Sequence, residues 1–150
     1  MLSVTTIRST VRSRGNGDIL DITRNVAEAV AGSGLINGVA TLFVTGSTAG
    51  LTTIEYEPGL VHDLTAAFER LYPQALEYRH HEKWGDDNGH SHVRASMLGP
   101  SLAVPFVEGT LTLGTWQQII LVDFDTRPRS REYVVQIIGE PDAANRANRE

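Results

Sequence analysis

The chain contains no cysteine, which excludes a disulfide framework and any thiolate metal site. A metal ion would have to be held by histidine, carboxylate, backbone oxygen or water. Long apolar runs are also missing: no window approaches the roughly 20 residues needed to cross a bilayer. The opening stretch "MLSVTTIRSTVRSRG" lacks the apolar segment of a secretory signal, so a cytoplasmic address and no membrane partner are expected. Excess basic charge is lacking as well. Lys and Arg number 13 against 18 Asp and Glu, a net charge of −5 that argues against non-specific nucleic-acid binding. It does not argue against a local cationic pocket. Internal repeats and low-complexity segments are absent.

What remains is an ordinary globular composition, 41% hydrophobic and 21% charged over 150 residues. That length fits one domain, which buries roughly 70% of its unfolded surface and needs no staples. "SVTTIRSTVRS" reads as a strand and "RGNGD" as a turn. Ile22, Val26, Ala29 and Val30 form a helical stripe, with Asp21 or Thr23 at its start and Gly32 or Gly34 at its end. "GVATLFVTG" is a continuous apolar run, expected to be a strand buried on both faces. "GSTAG" breaks it and "LTTIEYE" resumes it. Leu60, Leu64, Phe68 and Leu71 predict a second helix that Pro73 stops.

Residues 77 to 88 show neither period and read as a loop or edge segment, and "HVRASML" as one or two helical turns. "SLAVPFVEGTLTLGTWQQIILVDFD" divides at Glu108-Gly109 and Gly114 into a ribbon of strands. "REYVVQIIGE" is a last strand. The expected fold class is α+β: a single compact, sandwich-like domain over residues 1–140, mostly antiparallel strands with two main helices and roughly seven strands. Residues 141–150 read as a polar tail.

Four of the five histidines, His80, His81, His90 and His92, fall between positions 80 and 92. Three imidazoles with an open position is a catalytic-zinc pattern, so His80, His90 and His92 are candidate ligands for zinc or another histidine-preferring divalent ion. On an extended backbone His90 and His92 share a face; on a helix they diverge. The adjacent His80 and His81 point oppositely in a strand, so one of them reaches the site. The alternative is a solvated, histidine-rich loop. Asp86 and Asp87 are either partners that orient the imidazoles or turn residues before Asn88-Gly89, and Asp86 is read as the turn.

"TGSTAG" interrupts its strand with side chains too small for a core. Ser47, Thr48 and their N–H groups are candidates for an anion, though the pattern is not a P-loop and also fits a bulge in a curved sheet. "DFDTRPRSRE" carries Arg127, Arg129 and Arg131; alternate arginines on an extended chain could grip phosphate, or form a solvated face. Trp116 and Gln117 suit a ring wall and an amide in a pocket, although a buried tryptophan at a strand start is commoner.

Together, "GSTAGLTTIEYEPG", "YRHHEKWGDDNGHSHVRAS", "LGPSLAVPF", "GTLTLGTWQQIILVDFD" and "VVQIIGE" resemble the YjbQ-like proteins, the secondary thiamine-phosphate synthase family. The likeness runs from about residue 2 to residue 140. It implies a homotrimer of compact α+β domains with a histidine-lined, metal-capable pocket. The implied reaction joins hydroxymethylpyrimidine diphosphate to a thiazole phosphate, releasing pyrophosphate. The family's tyrosine-x-histidine motif matches Tyr78 and His80, and its later histidine matches His92. Many relatives carry histidine where this chain has Gly46; His90 is expected to replace it.

Under this resemblance, Glu55, Asp87 and Arg94 are the catalytic candidates: the two acids as acid–base groups, Arg94 to bear charge on the departing diphosphate. Ser47, Thr48, Asn88, Trp116, Gln117 and Arg129 are the candidates for substrate contact, with Mg²⁺ an option beside a diphosphate. Two other functions compete. One is metal-dependent hydrolysis of a small phosphate or amide, with Glu55 or Asp87 as base; the other is a non-catalytic trimeric binder of a small anion or metal.

Overall fold

A computed structural model describes residues 1–142; the expected tail falls almost entirely outside them. The chain runs β1 (Ser3–Ser13), β2 (Asp18–Asp21), α1 (Thr23–Gly32), β3 (Leu35–Val44), β4 (Ala49–Ile54), α2 (Pro58–Leu71), α3 (Arg79–Trp84) and α4 (Gly89–Leu98). It ends with β5 (Ser101–Val107), β6 (Thr110–Leu111), β7 (Gln118–Asp123) and β8 (Arg129–Pro141). Every strand pairing is antiparallel. The α+β sandwich-like expectation holds, with eight strands and four helices among the described residues.

Two sheets form, one of five strands in the order β1-β8-β3-β5-β6 and one of three in the order β2-β7-β4. The main core lies between them, from Ala40, Leu42, Tyr133, Val135 and Ile137 on one side and Leu51, Ile119 and Leu121 on the other, with Val26 and Val30 of α1. A second core sits on the far side of the small sheet. There Ile120, Val122 and Phe124 meet Ala95 and Leu98 of α4 and Val61, Leu64 and Phe68 of α2. The strand buried on both faces is therefore β7, whose residues from Ile119 to Asp123 are all buried. β3 was expected to have that role. It instead alternates, burying Ala40, Leu42 and Val44 while Val39, Thr41 and Phe43 stay exposed. Its outer residues are apolar enough to mask the period of two.

Helix ends follow local chemistry. Glu57 accepts hydrogen bonds from the N–H groups of Gly59 and Leu60, both at 2.8 Å, and Pro58 supplies a fixed φ for the first turn of α2. Asp21 bonds the Thr23 N–H and hydroxyl at 2.9 and 2.6 Å ahead of α1. The expected loop at residues 77–88 contains α3, six residues long and closed by Gly85 in the left-handed region (φ 63°). So short a helix shows no apolar stripe to read. "HVRASML" belongs to α4, which begins at Gly89 and is thus longer than expected.

Candidate functional site

The polar groups gather where the C-terminal end of β7 meets four other segments: the β3–β4 loop, the start of β8, α3 and α4. The loop is stitched in place by backbone bonds, Phe124 N–H to the Thr48 carbonyl at 2.9 Å and Thr45 N–H to the Glu132 carbonyl at 3.0 Å. Behind it Arg131, 2% exposed, donates to buried Asp123 at 2.6 Å and to the Thr48 hydroxyl. Thr48 donates in turn to Asp125 at 3.1 Å. Gly46 sits at φ +140°, and a Cβ there would stand 2.9 Å from Arg131 Nη1. Glycine at 46 therefore makes room for the guanidinium beneath the loop.

The histidines divide into two neighbourhoods. His80 and His92 face each other with ring centroids 4.4 Å apart. His80 Nδ1 lies 3.0 Å from Asp86 Oδ1, a contact in which Nδ1–H donates to the carboxylate and the ring is held in orientation. Burial, then the adjacent His80, holds the His92 pKa below 6.5, while a hydrogen bond to the Ser47 backbone opposes this. His92 is thereby kept neutral, with an imidazole nitrogen able to accept a hydrogen bond. Asp125 stands beside it. Burial pushes its carboxyl up, but hydrogen bonds from Thr126 N–H, Asn88 and Thr48, with the Arg131 charge, outweigh burial and keep it ionised.

His90 does not join them. Residues two apart on a helix are rotated by roughly 200°, so α4 sends His90 and His92 to opposite sides. His90 is 1% exposed, 6.4 Å from the Tyr78 ring, and its Nδ1 has no hydrogen-bond partner among the described residues. Burial, then the Arg94 charge, lowers its pKa and keeps it neutral. Among the described residues no group of three or more His, Asp or Glu is arranged to hold a metal ion. The expected His80, His90 and His92 triad therefore does not fit a metal within one chain, and His90 does not replace a ligand lost at Gly46.

Other candidates also sit elsewhere than expected. Arg94, only 6% exposed, is committed to Glu69 at 2.6 Å and to the Tyr72 carbonyl at 2.8 and 3.0 Å. It braces α4 against the end of α2 and has no free face for a diphosphate. Glu55 follows Ile54, the end of β4 that pairs with Gln118, whereas the histidines lie near the Ala49–Asp123 end. A strand of that length separates them by roughly 20 Å. Trp116 and Gln117 belong to the same distant end, Trp116 being 72% exposed and Gln117 bonded to Thr53 at 3.0 Å. Neither walls this site.

Asp86, read as a turn residue, is the partner of His80, while Asp87 accepts a long 3.4 Å contact from the Thr126 hydroxyl. Both line a cleft of about 470 Å³ with Asn88, Asp125 and the 126–129 turn. Asn88 donates to Asp125 at 3.3 Å; with its amide turned over it reaches Asp86 instead at 3.2 Å. Arg129 pairs with Asp125 at 3.0 Å. The buried Asp123–Arg131 pair, which organises the floor, was not anticipated as a pair. "DFDTRPR" showed the charges but not which would be internal.

Comparison with known proteins is consistent across sequence and structure. Residues 7–140 match the family described as UPF0047 protein YjbQ-like. A UPF0047 protein of Methanothermobacter thermautotrophicus is 34% identical over 131 residues, 87% of this chain and 90% of that protein. The UPF0047 protein YugU of Bacillus subtilis is 32% identical over 93% of this chain and all of its own length. A crystal structure of a YbjQ-like protein of unknown function from Sulfolobus solfataricus superposes with a TM-score of 0.88 at 34% identity, covering 93% of this chain and 100% of that one.

Proposed function

The chain belongs to the YjbQ-like UPF0047 family, and we propose that it is a transferase of the thiamine-phosphate synthase type, acting in the cytoplasm as a homotrimer. The observation that carries this reading is the His80–His92 pair, tied through Asp86 to a cleft with guanidinium groups on its rim. The neutral His92 imidazole can accept from the amino group of a hydroxymethylpyrimidine, and Arg127 on the rim can pair with its diphosphate. The thiazole nitrogen lone pair attacks the pyrimidine methylene carbon. The carbon–oxygen bond breaks, its electron pair leaves on pyrophosphate, and the thiazole becomes a thiazolium. No proton need leave the nucleophile. The site's task is orientation and charge stabilisation, with Asp86 fixing the His80 ring and Asp125 fixing Asn88 and Arg129.

Association of copies is supported by an apolar row of Val4, Ile138 and Val39 on the outer face of the large sheet. The assay is formation of thiamine phosphate from the two substrates, read as fluorescent thiochrome phosphate, with metal content measured on the same preparation. His80→Ala and His92→Ala should each lower the rate about 100-fold, the scale of a substrate held out of its reacting geometry. Product formation indifferent to both substitutions removes the reaction from this site.

One observation favours a second reading. An imidazole held by a carboxylate with its other nitrogen free, as in His80–Asp86, also suits activation of water for hydrolysis of a small phosphate ester. Phosphate release from either substrate alone, without the other, would identify it.

A further inference from the structure

The run "DTRPR" places two arginines on the cleft, and the structure separates their roles. Arg129 is occupied by Asp125 at 3.0 Å. Arg127 is exposed and lines the same cleft, and among the described residues its guanidinium makes no hydrogen bond or ion pair. We propose that Arg127 is the residue that grips the diphosphate of the substrate, a specificity determinant for phosphorylated ligands. This rests on the transferase reading for the identity of the ligand and on the cleft's own geometry for the anion.

A lone surface arginine would be weak support for a site, because a mobile side chain gains little from one contact. The backbone beneath Arg127 is not an ordinary loop. The turn after β1 holds three successive residues in the left-handed region, Gly15 at φ 75°, Asn16 at 54° and Gly17 at 79°. Its N–H groups bond backward onto the end of β7, Asn16 to the Asp125 carbonyl at 2.6 Å and Gly17 to the Asp123 carbonyl at 2.7 Å. Gly15 approaches so closely that a Cβ there would meet the Arg127 carbonyl oxygen at 2.6 Å. Pro128 then limits the backbone on the other side. Arg127 is therefore presented from a clamped turn, and its guanidinium has no internal partner to leave.

The carboxylates that share the cleft must be tolerated by an anion. Asp125 is neutralised by Arg129, Thr48 and Asn88, with Arg131 at 3.8 Å. Asp86 faces His80 at 3.0 Å. Asp87, exposed and in contact with Thr126 at 3.4 Å, has no cationic partner among the described residues. An anion is accordingly expected on the Arg127 side of the cleft and away from Asp87, and Asp87→Asn should tighten it.

The test uses the full chain and inorganic pyrophosphate as probe, by isothermal titration in the presence of a chelator. Wild type should bind; Arg127→Ala should weaken binding about tenfold, the scale of one charge-assisted contact, and Arg127→Lys should lie between. Arg24→Ala, which removes an exposed arginine paired on α1, controls for net charge and should leave affinity unchanged. The proposal is overturned if wild type does not bind, if Arg127→Ala binds as wild type, or if Arg24→Ala loses as much. Pyrophosphate binding that depends on Arg127 without any thiamine phosphate formation would keep this subsite and discard the transferase.

Discussion

His90 shows how far a residue's chemistry depends on the element that carries it. As a histidine near two others it reads as a ligand; on α4 it is a dry, neutral imidazole whose Nε2 lies 3.4 Å from the Ser91 hydroxyl. His90→Gln should leave pyrophosphate affinity at the cleft unchanged while costing about 1–3 kcal/mol of stability, because a buried polar contact and shape-matched packing are lost. The pH response follows from the same burial. His90 and His92 both have folded pKa values below the ordinary 6.5, so below that value the unfolded chain binds more protons. Their contribution is complete above about pH 6.5 and is lost as the pH falls through the lowered folded values. Urea midpoints for wild type should therefore drop between pH 7.5 and 5.5, and His90→Gln should flatten part of that drop. A midpoint that rises on acidification would contradict the assignment of both imidazoles as neutral.

Among the elements, α3 and α4 set the site because they carry His80 and His92, and their contact depends on one small residue. A Cβ on Gly89 would fall 2.5 Å from Tyr78 Cβ and 2.8 Å from its Cγ. Tyr78 cannot retreat freely, since its hydroxyl bonds the Pro73 carbonyl at 2.8 Å. Gly89→Ala should force the start of α4 away from α3, costing about 1–3 kcal/mol as overpacking does and weakening turnover through the displaced imidazoles. Thermal melting and KM measured together would show it; an unchanged protein would mean that the two helices separate without penalty. The long elements α1 and α2 were legible in the sequence because their apolar positions recur at helical spacing. α3 was not, because six residues carry too few apolar positions to show a period. Glu55 was expected at the site from the family resemblance, and Trp116 from its place after a glycine as a ring wall. Only the β4–β7 register, with Ala49 opposite Asp123 and Ile54 opposite Gln118, shows that they belong to the opposite end. Asp86 was missed for the reverse reason: its partner lies six positions back, across the end of a helix the sequence does not reveal.

At the scale of the whole molecule the large sheet has one face on the core and one that no other element covers among the described residues. On the outer face the register aligns Val4, Ile138, Val39 and Pro105 in one row across β1, β8, β3 and β5. Val4 is 59% exposed, Ile138 41% and Val39 40%, and Phe43, 49% exposed, lies further along β3. Single exposed apolar residues are common, but an aligned row spanning four strands is the kind of patch that marks an association surface. This is also why β3 reads as doubly buried: its outer residues have the composition of an interface. If the proposed homotrimer uses this face, Val39→Lys combined with Ile138→Lys should convert the protein to a monomer in sedimentation equilibrium. The fold should persist, because the neighbouring Ala40 and Ile137 that face the core are untouched. Like charges directly opposite each other on adjacent strands cost only a fraction of a kcal/mol up to about 1 kcal/mol within the sheet, so unfolding is not the expected result. A wild type that sediments as a monomer, or a doubly substituted protein that remains trimeric, would show that this face is not what holds copies together.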